Sequence, residues 1–502
     1  MTDISLITTD LIKSLSLFKP ETTLVVTFIV ALFFDLIFKK SKNITAYVSV
    51  IGIIITGFFL VRQTGIEEIT FASLLVIDPF GQFMKVIVLV STLIIILISF
   101  FSDELRNGYA KLGEYFILLT GMTFGMFLLV GSANLIIIYL AIETMSISSY
   151  ILAGYTKEVK RASEASLKYV IFGAVSSGIM VYGISLLFGL TGSLNLMEIN
   201  QFLQTNSYSN ITLLIAGLMI ISGFGYKISA VPFHFWTPDV YEGAPVTITA
   251  YLSVASKAAG FAVLIRFFKT CLFVSSPGTE ESWALIGNID WHSVIIVLSI
   301  LTMTIGNLAA IWQTNMKRLL AYSSIAHAGY LLMAVAVMND TGVSAVLIYF
   351  FVYMIMNLGA FFIVQLVANK LKSENIEDYD GLGYRSPLIA VSLTVFLISL
   401  TGLPPTAGFI GKLYVFTSVI EAGYIWLAII GVLNSVVSLY YYVKIIRNMY
   451  LRGTENQNNK LVFSPVVIIM VLLLVIPVLV FGVYFSPIVD WSAFSASIFT
   501  GK

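Results

Sequence analysis

The stretch ISGFGYKISAVPFHFWTPDVYEGAP, Ile221–Pro245, sets Lys227 in an apolar run and places Pro232 shortly after it. Proline removes a backbone donor, so the helix breaks within about a turn and a half of the ammonium. A charge at the centre of a membrane helix costs roughly 2.5 to 3.5 kcal/mol on insertion scales and marks ion or proton pathways. Broken helices at membrane depth are tolerated where they line a cavity. Ile221–Pro245 therefore reads as an interrupted crossing of a polytopic membrane protein.

The residues on either side agree. Of the 502 residues, 58% are hydrophobic and 11% charged, against about 25% charged in soluble domains. Apolar runs follow one another from Thr22 to Phe485 with no polar stretch long enough for a soluble module. Beta-barrel alternation is absent, and a helix needs about 20 apolar residues to cross a bilayer. About fourteen spans result: 22–38, 44–62, 82–101, 115–131, 133–153, 169–190, 211–231, 246–268, 293–312, 319–337, 343–368, 388–421 with an interruption, 424–446 and 463–485. The fold class is an all-α integral membrane protein with one polytopic domain, 1–502. Its N-terminal helices occupy 22–131, a first five-helix repeat 115–268, a second 293–446, and a C-terminal helix 463–485. Each repeat holds one of the two broken helices, and five being odd, the second copy is inverted.

A net charge of +1 spread over short loops gives no footprint for nucleic acid. Cys271 is the only cysteine, which excludes an internal disulfide, a thiolate zinc site and an iron–sulfur cluster held by this chain alone. No metal or cofactor site is read. The N-terminus lacks the pattern of a cleaved signal peptide, so the run from Thr22 to Lys39-Lys40 is expected to stay as a helix.

Alternate loops are rich in cations: Lys39, Lys40 and Lys42; Arg106 and Lys111; Lys157, Lys160 and Arg161; Lys317 and Arg318; Lys370, Lys372 and Arg385; Lys444, Arg447, Arg452 and Lys460. Such loops face the cytoplasm, which puts both termini outside. Gly278 to Asp290 is acidic, whereas Arg266 and Lys269 go against the pattern.

Four charges fall at bilayer depth. Glu143 is central in ANLIIIYLAIETMSISSYILAG, on a face that also carries Tyr139, Ser146 and Tyr150. Lys227 precedes its break, Lys257 is central in TITAYLSVASKAAGFAVLIRF, and Lys412 follows a second break in SLTGLPPTAGFIGKLYVF. Burial disfavours the charged form of such a group and a nearby opposite charge restores it, so facing Glu143 and Lys227 would make a switch. His327 is a candidate relay, and Tyr349, Tyr353 and Asn357, then Asn434, Ser438 and Tyr442, form polar stripes that could order water. A structural interhelical pair is the rival reading of each charge, and packing is the rival reading of the stripes. His234, Asp35 with Lys39, and Lys85 read as structural or as snorkelling ends. Lys168 is either an end anchor or a modulator of Glu143.

The strings KISAVPFHFWTPDVYEGAP at 227–245, NMKRLLAYSSIAHAGYLL at 315–332 and SLTGLPPTAGFIGKLYVF at 399–416 resemble the proton-translocating membrane subunits shared by respiratory complex I and multisubunit cation/proton antiporters. The likeness runs from about Asn134 to Tyr450. FWTPDVYEGAP and Lys412 resemble the subunit N branch of NADH-quinone oxidoreductase. The resemblance implies an inward half channel of Glu143, Lys168 and Lys227, a central exchange site at Lys257, and an outward exit at Lys412. It also implies fourteen helices, no long lateral C-terminal helix, and other membrane-arm subunits as partners. NADH, FMN, iron–sulfur clusters and quinone are then expected on those other subunits, with no redox chemistry on this chain. The implied function is a translocase subunit that couples electron transfer to proton transport in the bacterial inner membrane. The alternative is an antiporter subunit without redox coupling, and a plastid-type enzyme using ferredoxin stays open.

Overall fold

The computed structural model describes residues 2–38, 43–108, 112–275, 283–453, 460–496 and 498. Lys39, Lys40, Lys42, Lys111 and the first part of the acidic loop after Gly278 lie outside the described residues. Twelve of the described helices are long and apolar enough to cross a membrane. Met316–Val335 and the two-part run Pro387–Thr401 with Ala407–Glu421 complete fourteen spans among the described residues.

In order the spans are Lys19–Ile37, Ile44–Val61, Pro79–Ser99, Leu112–Gly131, Leu135–Ala153, Lys160–Thr191, Asn210–Ile228, Val246–Leu272, Trp291–Ile311, Met316–Val335, Asp340–Leu371, the interrupted twelfth, Ile425–Leu451 and Pro465–Val483. Their ends follow local chemistry. Asp78, Asn134, Ser209, Asp290, Asn315, Asn339 and Ser464 each cap a first turn with a side-chain oxygen. Several short helices outside the spans escaped the sequence reading, among them Thr2–Leu17 ahead of the first span, Leu196–Thr205, and Ser486–Ser495. Trp491 on the last of these lies 4.2 Å from the Phe83 ring, between centroids, so this short segment folds back onto the third span.

Span eight is buried along its whole length and span eleven nearly so, whereas the first, sixth, thirteenth and fourteenth have mostly unburied surface. Apolar helices buried on all sides form the centre of a membrane bundle. Lys257 belongs to the first of these central helices, which explains why it has no route to the surface.

The inverted repeat leaves two signatures. Ahead of span five, Asn134 forms an antiparallel bridge with Asn195; ahead of span ten, Asn315 does so with Asn375. Each bridge exchanges two backbone hydrogen bonds, Leu135 N to Leu194 O with Leu196 N to Ala133 O, and Met316 N to Glu374 O with Ile376 N to Thr314 O. Five spans separate the two, so they sit on opposite faces, the second on the cation-rich one. The breaks also correspond. Span seven ends on Ser229 in the left-handed region (φ 62°) and span twelve's first half on Gly402 (φ 87°), with Pro232 and Pro405 each following at the same separation.

Candidate functional site: a buried polar axis

The correspondence of the breaks separates two lysines that looked alike in sequence. Counting from Pro232 and Pro405, Lys412 occupies the register position of Asp239, and the position of Lys227 is taken by Leu400. Lys227 stands before its break, at the end of a helix; Lys412 stands after its break, in the first turns of Ala407–Glu421.

Lys227 is 2% exposed and its Nζ makes no hydrogen bond. Three tyrosine rings surround it instead, Tyr226 at 5.3 Å and Tyr150 and Tyr169 at 5.7 Å from Nζ to centroid. Aromatic faces attract a cation without fixing it in a directional bond. Gly260 makes this depth reachable: a Cβ there would stand 2.8 Å from Ile228 and 3.4 Å from the Lys227 Cβ. Spans seven and eight thus touch beside Lys227, one turn from Lys257.

Glu143 is half-buried and forms no direct ion pair with Lys227. Its carboxylate accepts a hydrogen bond from Ser177 on span six. Leu140 and Ile147, one turn to either side, are exposed, so Glu143 borders the bundle's outer wall.

Lys168 is not beside Glu143. It donates to Asp239 at 2.7 Å and pairs with Glu164 at 2.7 Å, and it sits on the same helix as Ser177 about 13 Å away along the axis. Asp239 is shared with Arg318 (2.6 Å), which also bonds Glu242 at 2.9 Å. Together these line a 160 Å³ cavity on the cation-rich face. Sequence reading passed over this cluster because its members come from three separate segments.

Lys257, 1% exposed, donates from Nζ to the carbonyl of Ser324 at 2.7 Å and to its hydroxyl at 3.0 Å. The turn just before it, Leu252–Ser256, is wound as a π-helix. Such bulges widen the helix by one residue and recur at functional sites; nothing in the local residue types announces this one. From Ser324 the polar line continues along span ten. His327 Nδ1 meets the Tyr349 hydroxyl at 2.6 Å and Nε2 the Tyr442 hydroxyl at 3.5 Å, and Tyr442 also contacts Ser323. Tyr330 bonds Asn307 Nδ2 at 3.1 Å, and Asn307 Oδ1 accepts from Tyr441 at 3.0 Å.

Lys412 is 3% exposed, donates to Thr401 O at 2.8 Å and Ser435 Oγ at 2.9 Å, and lies 4.6 Å above the Tyr330 ring. Beside it opens a cavity of about 230 Å³ lined by Thr401, Gly402, Phe409 and Ser435. Residues from Lys257 to Lys412 therefore form a band of ionisable and hydroxyl groups through the middle of an apolar bundle, with Lys227 beside span eight and Glu143 at the wall.

Other charges proved to be structural pairs. Lys85 does not snorkel: it is 5% exposed and bonds Glu21 at 2.5 Å. Arg266, the exception to the loop pattern, is clasped by Asp78 through two bonds of 2.7 and 2.9 Å, and Lys269 pairs with Asp340 at 2.9 Å. Asp35 rests against Gly113. His234 is 7% exposed, beside the Phe235 ring.

A helical bundle with lysines buried at two broken helices and on a central π-bulged one defines an ion-translocating membrane protein. The model for the transmembrane region of the NADH:quinone oxidoreductase/Mrp antiporter family matches residues 132–438. Among curated proteins, NADH-quinone oxidoreductase subunit N 2 of Chloroherpeton thalassium is 49% identical over 94% of this chain and 93% of its own length. Subunit N of Chlorobium chlorochromatii is 44% identical over 97% and 95%. The chain belongs to this family, in the branch of NADH-quinone oxidoreductase subunit N. A chain of respiratory complex I from Thermus thermophilus superposes with a TM-score of 0.77 at 27% identity, over 94% of this chain and 99% of that one. One from the Mrp complex of a Dietzia species gives 0.80 at 18% identity, over 96% and 97%, a likeness of fold.

Proposed function

We propose that the chain is a proton-translocating membrane-arm subunit of an NADH-quinone oxidoreductase, in which electron transfer on other subunits drives proton movement along the axis from Glu143 and Lys227 through Lys257 and His327 to Lys412. The observation that carries this reading is Lys257: a lysine 1% exposed at the core of the bundle, hydrogen-bonded only to neutral groups of Ser324. A stabilising ion pair would have put a carboxylate there, as Asp78 does for Arg266. A lysine held by neutral partners can instead pick up and release a proton as the charge around it changes. Lys168 serves the surface cluster around Asp239, at the mouth of the inward side, rather than the Glu143 site itself.

The cation-rich face is then the cytoplasmic one of a bacterial inner membrane, with both termini on the other side. NADH, FMN, iron–sulfur clusters and quinone belong to other subunits, and the exposed apolar flanks meet lipid and neighbouring membrane-arm subunits. Reconstituted complex carrying both Lys227→Met and Lys257→Met tests the reading. NADH-driven proton uptake is expected to be lost while NADH oxidation by an artificial acceptor continues; normal uptake would overturn it. Copurification with flavin and iron–sulfur subunits separates this reading from an antiporter without redox coupling.

A further inference from the structure

On the cation-rich face a second polar feature stands apart from the axis. A cavity of about 680 Å³ is lined by Asp103, Glu104, Glu158, Arg161, Asn369 and Glu374, among others. Glu104, on the short helix Asp103–Gly108, accepts a hydrogen bond from Val246 N, the first residue of span eight, at 3.4 Å. Burial pushes its carboxyl above the usual carboxylate range, against the pull of Lys317. Lys317 itself is 3% exposed and tied to Glu374 at 2.7 Å and Ala244 O at 3.0 Å.

Two clusters of buried hydroxyls lead inward from Glu104 along the same helix. Next to Val246, Thr247 Oγ1 accepts from the Tyr115 hydroxyl at 2.9 Å, and Tyr115 also meets Ser99 at 2.9 Å. One turn on, the Tyr251 hydroxyl touches Thr92 at 2.6 Å and Thr123 at 2.8 Å. Another half turn brings Ser253, bonded by Asn357 at 2.6 Å, and Lys257 follows one turn later. All of these side chains are at most 2% exposed. Hydroxyls both donate and accept; Thr247 to Tyr251 and Ser253 to Lys257 are each about 6 Å along the helix, short enough for a single bridging water, with Ser253 breaking the roughly 9 Å from Tyr251 to Lys257.

We propose that Glu104 takes protons from this cavity and passes them by way of Thr247, Tyr115, Ser99, Tyr251, Thr92 and Thr123 to Lys257, a second uptake route independent of Lys227. The inference rests on the proton-translocating reading of the chain. An anion at the N-terminus of span eight would by itself account for the Glu104 contact with Val246. It would not account for two hydroxyl clusters one turn apart on span eight, at Thr247 and Tyr251, at depths between that carboxylate and the lysine.

The test uses the assembled complex in proteoliposomes. Glu104→Gln keeps an acceptor for Val246 N but cannot carry a proton, and Tyr115→Phe keeps the ring without the hydroxyl. Each is expected to lower NADH-driven proton uptake roughly 10- to 100-fold below what the unaltered route supports when Lys227→Met has closed the other one, with Glu104→Asp restoring it. Uptake in the Lys227→Met background that is unchanged by either substitution would overturn the second route. Lys257→Met run alongside separates the two failures: if it too pumps normally, the translocating reading itself has fallen. If Glu104→Gln blocks assembly, Thr247→Cys is probed with a small charged methanethiosulfonate from the cytoplasmic side. Rapid labelling supports a wet route there, and protection equal to that of buried Cys271 overturns it.

Discussion

Lys257 spends two of its three ammonium donors on one residue, the carbonyl and hydroxyl of Ser324 at 2.7 and 3.0 Å, and so spans eight and ten meet across a neutral contact at the centre of the bundle. The third donor remains for a water or a neighbouring group. A fixed charge would serve equally well for packing, but only a group able to lose its proton serves for transfer.

Lys257→Arg makes that distinction. Guanidinium keeps the charge and cannot be deprotonated in a protein. Proton uptake by the reconstituted complex should fall roughly 100-fold or more, as far as with Lys257→Met. Uptake that survives Lys257→Arg would show that charge alone is required.

Lys168 and Asp239 should behave as one unit. Their contact lies in a partly exposed cluster, where an ion pair contributes about 0 to 1 kcal/mol. Lys168→Met, Asp239→Asn and the double substitution are expected to lower pumping to a similar, modest extent. Glu143→Gln should have the larger effect, and additive losses in a double-mutant cycle would refute the shared role.

Gly408 holds the second break closed. A Cβ there would stand 1.8 Å from the carbonyl oxygen of Ser399, and backbone cannot swing aside. Gly408→Ala should destabilise the subunit by about 1 to 3 kcal/mol and displace Lys412 from Thr401. Thermal unfolding of the purified complex and its proton-to-electron ratio report the two effects separately.

Asp290 gives a pH dependence. Hydrogen bonds from the Ser293 side chain and backbone at the start of span nine hold its carboxyl below the usual carboxylate range. A depressed value stabilises the fold above the unfolded pKa, about 3.9, and the contribution fades as pH falls through the lower folded value. Asp290→Asn keeps the cap and should flatten the acid limb of a detergent-stability curve below about pH 4. An unchanged limb would show that the cap does not contribute.

Much of this was legible in the residues. All fourteen spans and both breaks follow from apolar length and from Pro232 and Pro405, because a bilayer allows few alternatives. The buried lysines stand out for the same reason: each is set in an apolar run with no neighbouring charge in the sequence. Partners were less legible. Ser177 for Glu143, Ser324 for Lys257 and Asp78 for Arg266 come from distant segments whose facing depends on how helices rotate in the bundle. The π-turn at Leu252–Ser256 is a backbone event with ordinary side chains. Register, too, had to be seen, since only the shared geometry of the breaks shows that Lys412 stands where Asp239 does and not where Lys227 does.

The clasp between Asp78 and Arg266 joins residues 188 positions apart. Ribosomes deliver the N-terminal partner first, so the aspartate is already lodged at the opening of span three when the arginine emerges. The pair therefore closes only once span eight has been made, and it ties the start of span three to the far end of span eight. The arginine that offends the topology pattern in sequence is matched there by a counter-charge made earlier in the chain. Order of synthesis, as well as final geometry, is written into that pair.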